Sequence, residues 1–134
     1  MTRRPRILLV DDDQVVLSSL RRMLVAAEPS WDVRSAHDGA EALAVVQEEA
    51  IDVVLTDLDM PGLNGLALLV QLRRSRPDTV RILHSSQPEM AESHLVDHVL
   101  PKPAASATVL ATLRWAVRSA RASRLSALVA ALGR

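Results

Sequence analysis

Apolar and polar positions alternate between two periods along this chain. Ile7-Leu8-Leu9-Val10 is a short unbroken apolar run, the form of a strand buried on both faces. Beyond it, Val16, Leu17, Leu20, Leu24 and Ala27 recur at helical spacing, and Pro29 closes that helix. Trp31 to Ala36 reads as a second strand. Asp38 followed by Glu41 predicts a capping box, opening a helix that carries Leu43 and Val46 inward. Ile51 to Thr56 is a third buried strand, followed by a turn at Asp59-Met60-Pro61-Gly62. Asn64 can cap a helix bearing Leu66, Leu69, Val70 and Leu72, which stops before Pro77. Val80 to His84 makes a fourth strand and His98 to Leu100 a short fifth. From Ser106 onward the pattern is helical.

Strands alternating with helices across short connections predict an α/β, doubly wound fold: a parallel sheet covered on both faces. In such folds ligands bind beyond the carboxyl ends of the strands, where strand order reverses. Those ends carry Asp11-Asp12-Asp13, Asp57, Ser85-Ser86 and Lys102, from strands one, three, four and five. Acid, acid, hydroxyl and ammonium therefore converge on one edge.

Composition narrows the chemistry. The 134 residues suit one domain, and apolar residues at 49% suit a packed core. Cysteine is absent, which excludes thiol catalysis and disulfide or Cys-based zinc scaffolds. Formal net charge is zero, and Trp31 and Trp115 are the sole aromatics, so direct nucleic-acid binding is not expected. The apolar run before the three aspartates is too short for a signal peptide, and no run could span a bilayer, so a cytoplasmic protein without membrane contact is expected. Fifteen of the sixteen basic residues are Arg; the one lysine, Lys102, sits between Pro101 and Pro103. His37, His84, His94 and His98 lack metal-ligand spacing and read as surface or supporting residues.

Clustered carboxylates stay ionised when a cation joins them, and oxygen-only donors favour a hard ion, here magnesium. An Asp beside such an ion can act as a covalent nucleophile toward phosphorus. A lysine ammonium and a hydroxyl supply what phosphoryl oxygens need in the transition state.

The segments Ile7–Asp13, Asp57-Leu58-Asp59-Met60-Pro61 with Gly65, Ser85-Ser86 and Lys102-Pro103 resemble the receiver domain of bacterial two-component response regulators, over about residues 5 to 120. The resemblance implies a flavodoxin-like (βα)5 fold, with five parallel strands in order 2-1-3-4-5. It implies Asp57 as phosphoacceptor, taking its phosphoryl group from a sensor histidine kinase or phosphotransfer protein. Asp12 and Asp57 would hold Mg2+, Asp11 supporting it largely through water and Asp59 through its backbone carbonyl. Ser85 and Lys102 would meet phosphoryl oxygens, Ser86 would keep access open, and the Lys102–Pro103 bond would be cis. The domain would be a signalling phosphoacceptor that turns over no independent substrate.

Two departures from the family pattern concern signalling. Val99 stands where many members carry Tyr or Phe, so the usual coupling between the hydroxyl and an inward-turning ring is absent or replaced. Ser85 and Lys102 are also closer than is typical, which leaves residues 88–95 a fourth helix of about two turns. A dimer through the usual face of fourth helix, fifth strand and fifth helix, built on Glu89, Glu92 and Arg118, is therefore not expected.

The receiver is expected over 1–120, with 121–134 a helical extension or linker to an output domain outside this chain. A helix from Ser106 to Leu132 would run roughly 40 Å and leave Leu125, Leu128, Val129 and Leu132 uncovered. Arg114, Arg118, Arg121 and Arg124 form a stripe on it, read as a solvated face. The Lys102 and Arg124–Val129 segments are similar to regulators whose receiver precedes an HD-related output domain (HDOD). Two rival readings remain to be separated. A haloacid-dehalogenase-like phosphatase would use Asp57-Leu58-Asp59 with Asp59 as general acid, although that motif normally follows the first strand. A module that works without phosphorylation would need none of the acid, hydroxyl and lysine set.

Overall fold

The computed structural model describes residues 3–90 and 94–133. Five strands, β1 (Arg6–Val10), β2 (Asp32–Ala36), β3 (Val53–Asp57), β4 (Val80–Ser85) and β5 (His98–Pro101), form one sheet in the order β2-β1-β3-β4-β5. Every pairing is parallel, as the alternating pattern predicts. Helices α1 (Gln14–Ala27) and α4 (Ser106–Leu132) cover one face; α2 (Gly39–Glu48) and α3 (Gly65–Ser75) cover the other.

The apolar runs are buried on both sides because both faces are covered. Ile7 and Leu9 pack with Leu17, Leu24, Leu113 and Val117, while Leu8 and Val10 pack with Ala42, Val46, Leu68 and Leu72. Leu68, absent from the helical set read in the sequence, is fully buried, whereas Leu66 and Val70 are only partly so.

Helix starts follow local chemistry. The Asp13 side chain accepts from the backbone N–H groups of Val15 and Val16, and Asn64 accepts from that of Ala67 at 2.9 Å. Asp38 accepts from the Glu41 N–H at 2.7 Å, but the Glu41 carboxylate turns to the N–H of His37 at 3.0 Å. The expected reciprocal box is thus shifted by one residue, and the His37 ring, 3.1 Å from the same carboxylate oxygen, holds it there.

The expected two-turn fourth helix is reduced, in the described residues, to a 3-10 turn at Pro88–Met90; positions 91–93 of the predicted span lie outside them. The buried guanidinium of Arg81 helps to hold the segment that follows, donating to the carbonyl of Leu95 at 2.9 Å. The C-terminal helix, the fifth expected from sequence, is accordingly α4.

Helix α4 runs 27 residues and buries Val109, Leu113, Ala116, Val117 and Ala120. Farther on, Leu125, Leu128, Val129 and Leu132 are 55–76% exposed. The arginine stripe is not uniformly solvated. Arg114 pairs with Glu28 at 2.7 Å, and Arg124 pairs with Asp52 at the amino-terminal edge of the sheet. Arg118 and Arg121 stay exposed. No described helix is long and apolar enough to cross a membrane.

Candidate functional site

Strand ends position the polar side chains. Asp11 follows β1 and is almost fully buried; its Oδ1 accepts from the Asp13 N–H at 2.9 Å. Asp57 closes β3, where its Oδ1 accepts from the Leu58 N–H at 2.9 Å. Just beyond, Gly65 opens α3 with its N–H on the carbonyl of Leu58 at 2.9 Å, and a Cβ there would overlap the Asp57 carbonyl. Only glycine lets α3 come this close to the end of β3.

Lys102 reaches across from the end of β5. Its Nζ stands 3.2 Å from Asp11 Oδ2 and 3.3 Å from Asp57 Oδ1. The Lys102–Pro103 bond is cis, and the Lys102 N–H donates to the Ser85 carbonyl at 2.8 Å, continuing the β4–β5 ladder. Ser85 is buried and its hydroxyl accepts from the Gln87 N–H at 2.9 Å; Ser86 beside it is exposed. Val99 is half-buried, and the exposed aromatic pair near it is His98 with Trp115, ring centres 5.7 Å apart.

Carboxylate oxygens of Asp11, Asp12 and Asp57 lie within 4.8 Å of one another. Asp12 is exposed and Asp57 half-buried, so a hydrated hard cation can approach from solvent. All three offer oxygen only, which fits magnesium better than a transition metal. The Asp59 carboxylate is exposed and lies outside this group.

The local field is strained in the sense of charge. Burial raises the Asp57 pKa above the ordinary carboxylate value, and the neighbouring Asp11 charge adds to this, against the pull of Lys102. Burial also disfavours the Lys102 ammonium, but the hydrogen bond and charge of Asp11, then the charge of Asp57, outweigh it and raise the pKa. One lysine thus neutralises part of a three-carboxylate cluster and leaves it short of positive charge.

The family model for the response regulator receiver domain matches residues 7–114. This chain belongs to the response regulator receiver family. It is 36% identical over 118 residues to response regulator MprA of Mycobacterium avium, covering 84% of this chain and 51% of that protein. The MprA of Mycobacterium tuberculosis gives the same identity over 84% of this chain and 50% of its own. The receiver thus spans about half the length of the relatives it matches. Among solved structures, the signal receiver domain of an HD domain-containing protein from Pseudomonas fluorescens superposes with a TM-score of 0.81 at 29% identity, covering 92% of this chain and 94% of that one. TrrA of Thermotoga maritima, crystallised with Mg2+ and BeF, shares the fold at a TM-score of 0.76 and 24% identity, over 84% of this receiver and 98% of that chain.

One of the histidines read as surface or supporting residues lies at the receiver's site. His84 is paired in register with Asp57 on the neighbouring strand and is 8% exposed. Burial, then the Lys102 charge, lowers its pKa to about 4, against the opposing charge of Asp11. Its place one residue before Ser85, at an inward position of β4, is the signal for it in the sequence.

Proposed function

We propose that this receiver accepts one phosphoryl group on Asp57 in a Mg2+-dependent reaction and relays the change to an output domain or partner. The observation that carries this reading is Lys102 bridging Asp11 and Asp57 beside the cluster of Asp11, Asp12 and Asp57. Asp12 and Asp57 would hold the ion, with Asp11 acting through water and Asp59 through its backbone carbonyl. When bound, the ion supplies positive charge to the carboxylates and to incoming phosphoryl oxygens.

The donor is the phosphohistidine of a sensor histidine kinase or phosphotransfer protein, which sets the exchange in the cytoplasm. A carboxylate oxygen of Asp57 forms the new O–P bond as the P–N bond breaks, and the donor imidazole leaves with the electron pair. The Leu58 N–H and Lys102 both engage Oδ1, which favours Oδ2 as the attacking atom. Lys102 then exchanges a carboxylate contact for a phosphoryl oxygen, and Ser85 turns its hydroxyl from Gln87 to another. The receiver catalyses only its own phosphorylation and dephosphorylation.

The receiver unit covers 1–120, and 121–134 is a helical extension toward an output domain. The receiver likeness to an HD domain-containing protein supports an output of HD-related type. Val99, with no ring to swing, requires a different relay from the usual aromatic one, and the 3-10 turn formed by the described residues of the fourth-helix segment argues against the usual symmetric dimer face.

Acetyl phosphate with Mg2+ tests the reading. Intact mass is expected to show one added phosphoryl group, absent in Asp57→Asn and absent with EDTA. Sustained phosphate release from a generic phosphomonoester would instead favour the phosphatase, and equal partner binding by wild type and Asp57→Asn, with or without donor, the phosphorylation-independent module.

A further inference from the structure

Beneath the acid cluster, on the side facing α1, lies a cavity of about 10 Å3, the room that a single water needs. Leu9, Leu17, Leu20 and Leu55 line it together with Asp11, Asp57 and His84. The Nε2 atom of His84 is buried and has no hydrogen-bond partner among the described residues. A leucine at this position would fill an apolar layer without leaving a polar atom unsatisfied, so core packing alone does not account for the imidazole.

A neutral imidazole carries one N–H donor and one acceptor nitrogen. Among the described residues, the polar side chains bordering the cavity, apart from His84 itself, are two carboxylates, which accept only. A donor at Nε2 is therefore the tautomer that this surrounding satisfies, through a water that spans from the ring to the carboxylates.

We propose that His84 is a positioning residue for phosphoryl transfer, its Nε2–H donating through one water to the carboxylates of Asp11 and Asp57 from below the site. This rests on the phosphoacceptor reading of Asp57 and adds to it a second support for that side chain, opposite Lys102. The ring makes no contact with the phosphoryl group. Its effect is to restrict the Asp57 rotamer, so that the attacking oxygen is held toward solvent.

The full chain is tested as His84→Leu and His84→Gln, the second keeping an N–H donor on a side chain of similar reach. Phosphorylation by acetyl phosphate at saturating Mg2+ is expected to slow about tenfold in His84→Leu, with a urea midpoint at or above wild type. His84→Gln is expected to stay within about threefold of the wild-type rate. Wild-type speed in His84→Leu, or equal slowing in both variants, would overturn the assignment. Should His84→Leu fail to fold, 15N shifts of the wild-type imidazole decide: a proton on Nε2 supports it, and a bare Nε2 overturns it. A wild-type chain that takes up no phosphoryl group sinks the reading of Asp57 instead, which keeps the two failures apart.

Discussion

Arg124, near the far end of α4, forms an ion pair with Asp52, which lies just ahead of β3 and is 4% exposed. The same carboxylate takes the guanidinium of Arg3 at 2.8 and 3.1 Å and the backbone N–H of Arg6 at 2.8 Å. One buried acid therefore ties the amino-terminal arm and the C-terminal helix to the edge of the sheet opposite Asp57. Arg124 thus links the 121–134 segment to the body of the receiver.

Removing that acid should loosen both attachments. Asp52→Ala is expected to cost about 1–3 kcal/mol, because the Arg6 N–H and two guanidinium groups lose their acceptor. Arg124→Ala, which leaves Arg3 and Arg6 in place, should cost about 1 kcal/mol or less. Urea unfolding gives the totals. Amide exchange across residues 120–132 should rise in both variants, and unchanged protection there would mean that the pair does not hold the helix.

Lys102 faces two carboxylates, and its loss leaves them to repel. Lys102→Met is expected to slow phosphorylation of Asp57 by about a hundredfold, the scale for removing one positive or hydrogen-bonding group from a charge-stabilising site. Stopped-flow or gel-shift rates with acetyl phosphate would measure it; a loss under threefold would remove Lys102 from the chemistry.

The raised Asp57 pKa means that the folded chain binds this proton more tightly than the unfolded chain does. Its carboxylate form therefore opposes folding at neutral pH, and Asp57→Asn should raise the melting temperature in EDTA by a few degrees. Mg2+ should stabilise wild type by about 1.4 kcal/mol at a concentration ten times its Kd, and Asp57→Asn by less. Calorimetry with and without the ion compares the two, and equal Mg2+ stabilisation would argue that Asp57 is no ligand.

His84 sets a separate pH dependence. Its folded pKa of about 4 lies below the unfolded value near 6.5, so the unfolded chain binds the extra proton between those limits. Stability from this group is fully present above pH 6.5 and falls as pH drops toward 4, by about 3 kcal/mol in the Mg2+-free protein. His84→Leu should flatten that limb of the urea midpoint against pH. An unchanged slope would place the titration elsewhere.

Gly65→Ala tests the junction of β3 and α3. The added methyl meets the Asp57 carbonyl, and a cost of about 1–3 kcal/mol is expected from the forced backbone shift. Wild-type stability together with wild-type phosphorylation would show that the junction yields more easily than its packing suggests.

Much of this receiver follows from short-range pattern. The apolar runs at Ile7–Val10 and Val53–Leu55 read as strands covered on both faces, and right-handed connections leave few topologies, among which the receiver resemblance implies the observed order. Asp13, Asp38 and Asn64 mark helix starts because a cap needs only its own next three residues. The acids, the hydroxyl and the lysine could be placed on one edge because strand ends of a parallel sheet all point the same way.

Contacts between residues distant in sequence were decided by the tertiary structure. Arg124 meets Asp52 across 72 positions, and its spacing on α4 is the same whether its partner is a carboxylate or water. His84 becomes notable only when β4 pairs with β3 and sets it beside Asp57, in an environment that no local pattern of apolar residues describes. Ahead of β5, the described residues of the expected fourth helix form a 3-10 turn, and the buried Arg81 of β4 donates to the Leu95 carbonyl, a contact that periodicity does not foretell. Periodicity reports which face of an element turns inward; what each inward side chain meets there is set by the other elements that share the core.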